Sequence, residues 1–215
     1  MYATLSDARA EGITTEQADD VRLTALLTRA SRRIDDLTGW WFESRTLTLT
    51  LDGTGARHLR LPAPAIALTR VAVDGSDLDL VDDVVNVGAP AGPAFERHNP
   101  KLLRAGGIAW PRGSRNVTVV GRFGFVEADE TAPLAIQEAC LRLAVRALPR
   151  FTDPTAADEA RRALITKETT DGHSYELGTG DIGKRAAWRF GGATGDPEVD
   201  VILARYRCPP GGGVP

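Results

Sequence analysis

The chain has 215 residues, of which 42% are hydrophobic and 26% are charged, and its formal net charge is −3. This composition is typical of a folded globular protein and excludes collagen-like, disordered and membrane-spanning classes. The near balance of 26 basic and 29 acidic residues excludes a protein that binds nucleic acid regardless of sequence. Two cysteines are too few for a disulfide framework or a zinc cluster. The first residues lack the basic and apolar regions of a signal peptide, so we expect the protein to be cytoplasmic where it is made.

The first 44 residues have the pattern of two helices. Thr4 with Asp7, and Thr14 with Gln17, have the spacing of capping boxes at helix starts. In the second, longer helix, apolar residues recur at steps of three and four and predict one buried face, formed by Leu23, Leu27, Ala30, Ile34, Leu37 and Trp41. The charged residues on the other face are typical of a helix surface in solvent.

From Arg45 the apolar period changes to two, which is the period of a β-strand. The sequence TLTLTLDG predicts a strand that turns at Asp52–Gly53 and pairs with the following RHLRLP. A second hairpin is predicted with its turn at Asp74–Gly75, and NVTVVGRFGF at 116–125 predicts a further strand. The Gly-, Pro- and Ala-rich stretch 86–100 predicts an exposed contact loop.

Helical patterns return after the strands. One helix is predicted from Thr131 to Leu148, a shorter one from Asp153–Pro154 to Ile165, and a last one from Asp196–Pro197. A short strand segment with a turn at 171–172 is predicted between the last two helices.

Helices at both ends and strands in the middle predict an α+β fold. We expect a helical bundle core, formed by the N- and C-terminal parts, with an inserted antiparallel β subdomain. The predicted organisation is N-terminal core helices at 1–44, the β subdomain at 45–126, C-terminal helices and the strand segment at 127–207, and a flexible tail at 208–215.

No complete catalytic or cofactor motif occurs in the sequence. The stretch Gly178–Lys184 has the glycine spacing of a phosphate loop, but Arg185 stands where such a loop needs Ser or Thr. His58, His98 and His173 lie far apart and lack metal-ligand spacing. We therefore expect no enzyme activity, no cofactor and no metal.

A basic cluster accompanied by Phe95 and Trp110 comprises Arg97, Lys101, Arg104, Arg112 and Arg115. Such a cluster can bind phosphate groups or an acidic protein, and the sequence leaves both possibilities open. Trp40, Trp41 and Trp110 are more typical of packing anchors than of base-stacking platforms.

Several segments, spread over nearly the whole chain, occur in a characteristic order. They are YATLSDARAEG, TEQADDVRLTALLTRASRRIDDLTGWWF, APLAIQEACLRLAVRAL, ITKETTDGHSYELG and TGDPEVDVILARYRCPP. This order resembles the head-tail connector (adaptor, or head-completion) proteins of long-tailed bacteriophages and prophages. The large β insertion is a departure from the smallest members of that family.

The resemblance implies a non-enzymatic structural protein of the virion neck, assembled in the host cytoplasm. It implies binding to the portal protein after DNA packaging, and a dodecameric ring adaptor for the stopper or tail-completion protein. The ring would form from copies that can be monomeric when free. DNA would pass through the channel of the ring without specific binding, and no membrane would be involved. The implied portal-docking residues are Arg205, Tyr206, Arg207, Pro209 and Pro210. The implied subunit-subunit contacts are Lys167, His173, Tyr175 and Leu177.

Two other functions remain open. In a bacterial binding module, the β subdomain would recognise a ligand and would present a concave, aromatic-lined face. In a hydrolase with an unrecognised site, Asp, Glu or His side chains would converge in one cleft. A ring adaptor instead predicts flat, dispersed contacts.

Overall fold

The computed structural model describes residues 1–92, 96–152, 167–170, 173–176 and 194–207, with side chains over 1–92, 96–148 and 194–207. The described chain divides into two compact units. We name them the helical unit, which comprises Met1–Thr38 and Leu134–Arg207, and the β unit, which comprises Gly39–Pro133. The helix predicted at 153–165 and the tail predicted at 208–215 lie outside the described residues.

The described elements follow one another in the order α1 (Leu5–Ala10), α2 (Asp20–Thr38), β1 (Arg45–Gly53), β2 (His58–Arg60), β3 (Ala65–Val73), β4 (Ser76–Asp77), β5 (Val84–Val87), β6 (Lys101–Arg104), β7 (Gly113–Phe123), α3 (Leu134–Thr152), β8 (Lys167–Thr170), β9 (His173–Glu176) and α4 (Pro197–Arg205). Short 3₁₀ turns lie at Glu96–His98 and Ala105–Gly107. Among the helices in the described part of the chain, none combines the length and apolar character needed to cross a bilayer.

Helix α1 begins with the predicted capping box. The Thr4 hydroxyl accepts a hydrogen bond from the Asp7 backbone N–H at 3.1 Å, and the Asp7 carboxylate accepts one from the Thr4 N–H at 2.7 Å. Each side chain therefore satisfies a backbone donor that the first helical turn leaves without an intrahelical partner. The prediction of this helix start is confirmed.

The start of α2 differs from the prediction. Thr14 and Gln17 do exchange the expected hydrogen bonds, but they close a turn ahead of the helix. Asp19 caps α2 instead, since its carboxylate accepts from the Arg22 N–H at 2.7 Å. A capping box can close an isolated turn as well as open a helix, because its hydrogen bonds span only four residues.

The helical unit has a core in which α2 packs against α3, and α4 packs against both. Buried side chains of α2 include the predicted Leu23, Leu27, Ala30 and Ile34, whereas Leu37 is half-buried. The predicted stripe ends there, because α2 stops at Thr38 and Trp41 belongs to the β unit. From α3 and α4 the core receives Ile136, Ala139, Cys140, Leu143, Ala144, Val199 and Leu203.

The main sheet of the β unit has the strand order β1-β7-β3-β4. Strand β7 pairs antiparallel with β1 on one side and with β3 on the other, so that Val119 lies opposite both Leu49 and Val71. Val71, Val117 and Val119 are fully buried and define the core face of this sheet. A second sheet has the order β2-β6-β5.

The predicted pairing of β1 with the strand that follows it is wrong. Strand β1 pairs with β7, and β2 pairs with β6 in the other sheet. At the end of β1, the Gly53 N–H donates to the Asn116 side-chain oxygen at 2.8 Å rather than closing a hairpin turn. The hairpin predicted at Asp74–Gly75 does form, with φ values of 49° and 84° at its two turn residues. Two positive φ values match the twist of antiparallel strands.

The predicted fold class is wrong in its central statement, a helical bundle core. The described chain is built largely from two antiparallel sheets of four and three strands, accompanied by four α-helices. Two of these helices, α1 and α4, have only 6 and 9 residues. Helices this short cover a neighbour but cannot extend a four-helix core. The strands form a unit with its own core, in which Trp110, Phe42 and Phe123 are fully buried.

Helix α3 begins at Leu134, three residues later than predicted. Thr131 does not cap it, because both the hydroxyl and the N–H of Thr131 donate to the Asp129 carboxylate, at 2.7 and 3.1 Å. Those hydrogen bonds form a turn ahead of Pro133. Local Asp-Thr hydrogen bonds of this kind compete with helix formation.

Candidate functional site

Helix α4 ends at Arg205, the first of the predicted portal-docking residues, and it begins as the sequence predicts. The Asp196 carboxylate accepts hydrogen bonds from the N–H groups of Glu198 and Val199, at 3.0 and 3.3 Å. Pro197 occupies the first helical position, where its missing N–H costs nothing. The predicted start of this helix is confirmed.

Buried polar contacts fix α4 in the helical unit. The Asp200 side chain accepts from the hydroxyl and from the N–H of Thr194, at 2.6 and 3.2 Å. Both residues are buried, and so are Val199 and Leu203 on the same helix. Glu198 also forms an ion pair with Arg142 of α3. These contacts therefore hold α4, and with it the end of the helix, in place in the helical unit.

The end of α4 exposes two positive charges. Arg205 and Arg207 are exposed, whereas Tyr206 is half-buried. Tyr206 ends the helix, and its backbone N–H donates to the Leu203 carbonyl at 3.1 Å. The remaining predicted docking residues, Pro209 and Pro210, lie outside the described residues.

The predicted subunit-contact segment forms an antiparallel hairpin of β8 and β9. Its register pairs Lys167 with Glu176, and Thr170 with His173. His173 and Tyr175 are two residues apart on β9, so they share one face of the hairpin. Leu177 lies outside the described residues.

The basic cluster of the β unit is only partly available for a ligand. Arg97 pairs with Glu127 at 3.1 Å and donates to the Val126 carbonyl at 3.4 Å, with only 14% of its side chain exposed. Trp110, the aromatic residue expected beside the cluster, is fully buried, and its ring N–H donates to the Leu102 carbonyl at 3.3 Å. These contacts also fix part of the segment predicted as an exposed loop.

The remaining members of the cluster differ in exposure: Arg112 and Arg115 are exposed, whereas Lys101 and Arg104 are half-buried. Phe95 lies outside the described residues. The prediction that tryptophans act as packing anchors is confirmed for the buried Trp40 and Trp110. Trp41 is half-buried, and its ring N–H donates to the Phe123 carbonyl at 3.0 Å.

His98 and Cys140, two side chains capable of acid-base or nucleophilic chemistry, pack against neighbouring side chains of their own units. Burial, and secondly the charge of Arg97, lower the pKa of His98, whose ring lies 5.1 Å from the Phe125 ring. Burial raises the pKa of the Cys140 thiol, which lies 3.5 Å from the Ser31 hydroxyl in the helical core. Within the described ranges, no group of three or more His, Cys, Asp or Glu side chains could hold a metal ion.

Two concave regions lie in the helical unit. One, of about 210 Å³, lies between α2 and α3 and is lined by apolar side chains and by Arg29, Arg33 and Arg146. The other is a wide groove of about 810 Å³ between α1, α3 and the start of α4. Leu134 and Val145 are 80% and 43% exposed along this groove, among charged residues of both signs.

The outer side of β1 is a surface that the sequence does not predict, because the sequence pattern favours a hairpin of β1 with β2. Because β1 pairs with β7, its other side forms an edge of the main sheet in the part of the chain that the structure describes. In the structure β1 has 9 residues and β2 only 3, a difference in length that the sequences TLTLTLDG and RHLRLP do not show. A strand that long cannot be paired along its length by such a short neighbour.

No family model matches the chain, and no curated protein matches it. The chain does share its fold with a chain of a solved structure described as "Neck of empty GTA particle computed with C6 symmetry", where GTA denotes a gene transfer agent. The similarity covers 97% of this chain and 90% of the other, with a TM-score of 0.55 and 18% sequence identity. The same architecture thus occurs in a particle neck.

Proposed function

We propose that this protein is a structural component of the neck of a phage or phage-like particle. In this role it binds the portal protein after DNA packaging and forms a ring adaptor for the stopper or tail-completion protein. The observation that carries the proposal is the shared fold with a chain of a GTA particle neck, over 97% of this chain. The segment order that resembles head-tail connectors supports the same role independently of that comparison.

The proposed ring has twelve copies of the chain. The neck structure that shares the fold was determined with C6 symmetry, and a ring of twelve copies is compatible with a sixfold axis. Ring contacts are heterologous, so each copy needs two different patches that fit one another. We assign one patch to the β8–β9 hairpin, with Lys167, His173, Tyr175 and Leu177 as its contact residues.

Portal docking is assigned to the end of α4 and the residues after it. Arg205 and Arg207 are exposed there, on a helix held by the buried Asp200 and by Val199 and Leu203. Exposed arginines can form paired hydrogen bonds with carboxylates, so they suit an acidic surface of the portal. Tyr206, Pro209 and Pro210 complete the proposed docking residues.

The net charge of the chain fits a channel through which DNA passes. At −3 the chain is close to neutral, so copies in a ring repel one another weakly. An excess of positive charge would hold the DNA by counterion release, and this chain has no such excess. The protein would act as a non-enzymatic virion component assembled in the host cytoplasm.

The aromatic residues of the β unit favour the adaptor over a ligand-binding module. A binding module would need them on a concave surface. In the described part of the β unit they are buried in the core, with the exception of the half-buried Trp41. They therefore contribute to stability rather than to a ligand site.

The test is deletion of the gene from the phage or prophage that encodes it, followed by electron microscopy of the lysate. We expect filled or leaking heads lying apart from complete tails, and a plasmid copy of the wild-type gene should restore joined particles. Normal tailed particles without the gene would contradict the proposal. A ligand screen on the β unit and hydrolase assays would then follow.

A further inference from the structure

The outer edge of β1 presents an open backbone. The strand is 9 residues long, and among the described residues only β7 pairs with it. Thr46, Thr48 and Thr50 are exposed, whereas Leu47, Leu49 and Leu51 on the core face are only half-buried. Alternate N–H and C=O groups of such an edge are available for a further strand.

The features that normally protect an edge strand are missing from this one. Residues 46–51 contain no proline, lysine or other charged residue. The only bulge lies at the far end, between Leu51 and Gly53. The two terminal charges have local partners, since Arg45 pairs with Glu43 at 2.6 Å and the Asp52 carboxylate accepts from the Arg115 N–H. Nothing in the strand therefore opposes pairing with another chain.

The β8–β9 hairpin, in turn, would gain stability from a neighbouring strand. Its two strands have 4 residues each, and within the described ranges no third strand joins them. A two-stranded hairpin is at best marginally stable in water, so it gains stability by joining a larger sheet. Its strands, KETT and HSYE, are short enough to pair within residues 46–51 of β1.

We propose that the β8–β9 hairpin of one copy pairs with the outer edge of β1 in a second copy. The four-stranded sheet would thereby continue across the subunit boundary. This inference rests on the proposed ring-forming function and supplies the second of the two patches that a ring needs. The pairing joins different surfaces, so it repeats around a ring, whereas pairing of β1 with β1 closes a two-fold dimer and stops.

Disulfide trapping in assembled particles tests the proposal. The deletion strain would be complemented with two differently tagged copies, both carrying Cys208→Ser so that only the buried Cys140 remains. One copy carries Thr48→Cys, and the other carries Thr169→Cys or Ser174→Cys, which lie opposite one another in the hairpin. Paired strands bring Cα atoms to about 4.5–5.5 Å, within the range that a disulfide bridges.

The expected result, after mild oxidation of purified particles, is a disulfide-linked dimer that carries both tags. A matched control replaces Thr48→Cys by Asp36→Cys, which is also exposed but lies on α2. We expect about tenfold less cross-linking in this control, because disulfides form only within a narrow range of Cα separations.

Two results would overturn the proposal: cross-linking no greater than in the control, or dimers formed by Thr48→Cys copies alone. Each would leave the neck function intact, because that function is decided by whether the deletion separates heads from tails. A failure of the edge pairing and a failure of the proposed function are therefore distinguishable.

Discussion

Thr194 and Asp200 form a buried hydrogen-bonded pair at the start of α4. One oxygen of the Asp200 carboxylate accepts both the hydroxyl and the backbone N–H of Thr194, at 2.6 and 3.2 Å. The Thr194 hydroxyl oxygen in turn accepts the Asp196 N–H at 3.1 Å. This pair connects the segment that enters the helix with the side of the helix facing the core. It thereby holds in place the helix that leads to the proposed docking residues.

Asp200→Ala is predicted to destabilise the helical unit by about 1–3 kcal/mol, because it leaves the buried N–H of Thr194 without an acceptor, whereas the Thr194 hydroxyl retains the Asp196 carbonyl. Urea unfolding followed by circular dichroism at the helical band measures this loss. The matched control is Asp36→Ala on the exposed face of α2, which should change stability by no more than about 0.5 kcal/mol. Equal unfolding midpoints for the two variants would refute the role assigned to the pair.

The environment of His98 predicts a pH dependence in the β unit. Burial, and secondly Arg97, lower the pKa of His98 below its ordinary 6.5, so the unfolded state binds more protons than the folded state as the pH falls through 6.5. The folded protein favours the neutral His98 ring, so this contribution to stability is fully present above pH 6.5. It is lost as the pH falls toward the pKa that His98 has in the folded protein. The difference in melting temperature between a pH above 6.5 and a pH below 6.5 should be smaller in His98→Gln than in the wild type.

A substitution of Arg97 separates the two causes of the lowered His98 pKa. Arg97→Gln removes the neighbouring charge, so the pKa of His98 should rise, as followed by NMR titration of the ring protons. The exposed Arg112 provides the control, and Arg112→Gln should leave the titration of His98 unchanged. An unchanged His98 titration in Arg97→Gln would show that burial alone lowers the pKa.

Gly121, near the end of β7, lies in a position where a side chain is predicted to be destabilising. A Cβ atom at this position would lie 2.3 Å from the Ala67 carbonyl oxygen of β3, where bulges on both sides bring the strands close together. Gly121→Ala should therefore destabilise the β unit by about 1–3 kcal/mol, since backbone atoms must move to make room.

Tryptophan fluorescence during urea unfolding measures the effect of Gly121→Ala, because three of the four tryptophans, Trp40, Trp41 and Trp110, lie in the β unit. Thr46→Ala on the adjacent β1 is the control, and as an exposed strand position it should cost less than about 1 kcal/mol. A Gly121→Ala protein as stable as the control would contradict the close approach of the two strands.

Arg205→Glu is predicted to impair head-tail joining without unfolding the protein. The exposed guanidinium at the end of α4 becomes a carboxylate, which an acidic portal surface would repel. In the complemented deletion strain, the yield of tailed particles should fall by about tenfold or more, the size of effect expected for a charge reversal at an interface. Counting of joined particles by electron microscopy provides the measurement.

The control for Arg205→Glu is Arg32→Glu, which makes the same charge change on the exposed face of α2. Both proteins should have the circular dichroism spectrum of the wild type. Equal yields of tailed particles from the two variants would remove Arg205 from the docking surface.

The candidate site could be predicted from the sequence only in part. The cap at Asp196 and the arginines after it follow from local spacing. The burial of Asp200 could not be predicted, because an aspartate in a first helical turn is ordinarily exposed and its partner Thr194 precedes the helix. The basic cluster was predicted as one group, but Arg97 forms an ion pair with Glu127, thirty residues further along the chain.

The helix starts predicted at Thr14 and Thr131 were wrong, but the sequence alone determined several other features that depend on neighbours within four residues. These include the capping box of Thr4 and Asp7, the turn at Asp74–Gly75, and the apolar face of α2. Hydrogen bonds and side-chain periodicity over such distances are set by local backbone geometry, so the residue order is sufficient information.

Only the tertiary structure decided which strands pair and which edge remains open. The local pattern after Arg45 favoured a hairpin with β2, yet β1 pairs with β7, so that Leu51 lies opposite Val117. The same alternation fits any neighbouring strand of similar pattern. The choice among them depends on how much apolar surface each pairing buries in the whole unit, and that quantity is defined only once the chain has folded.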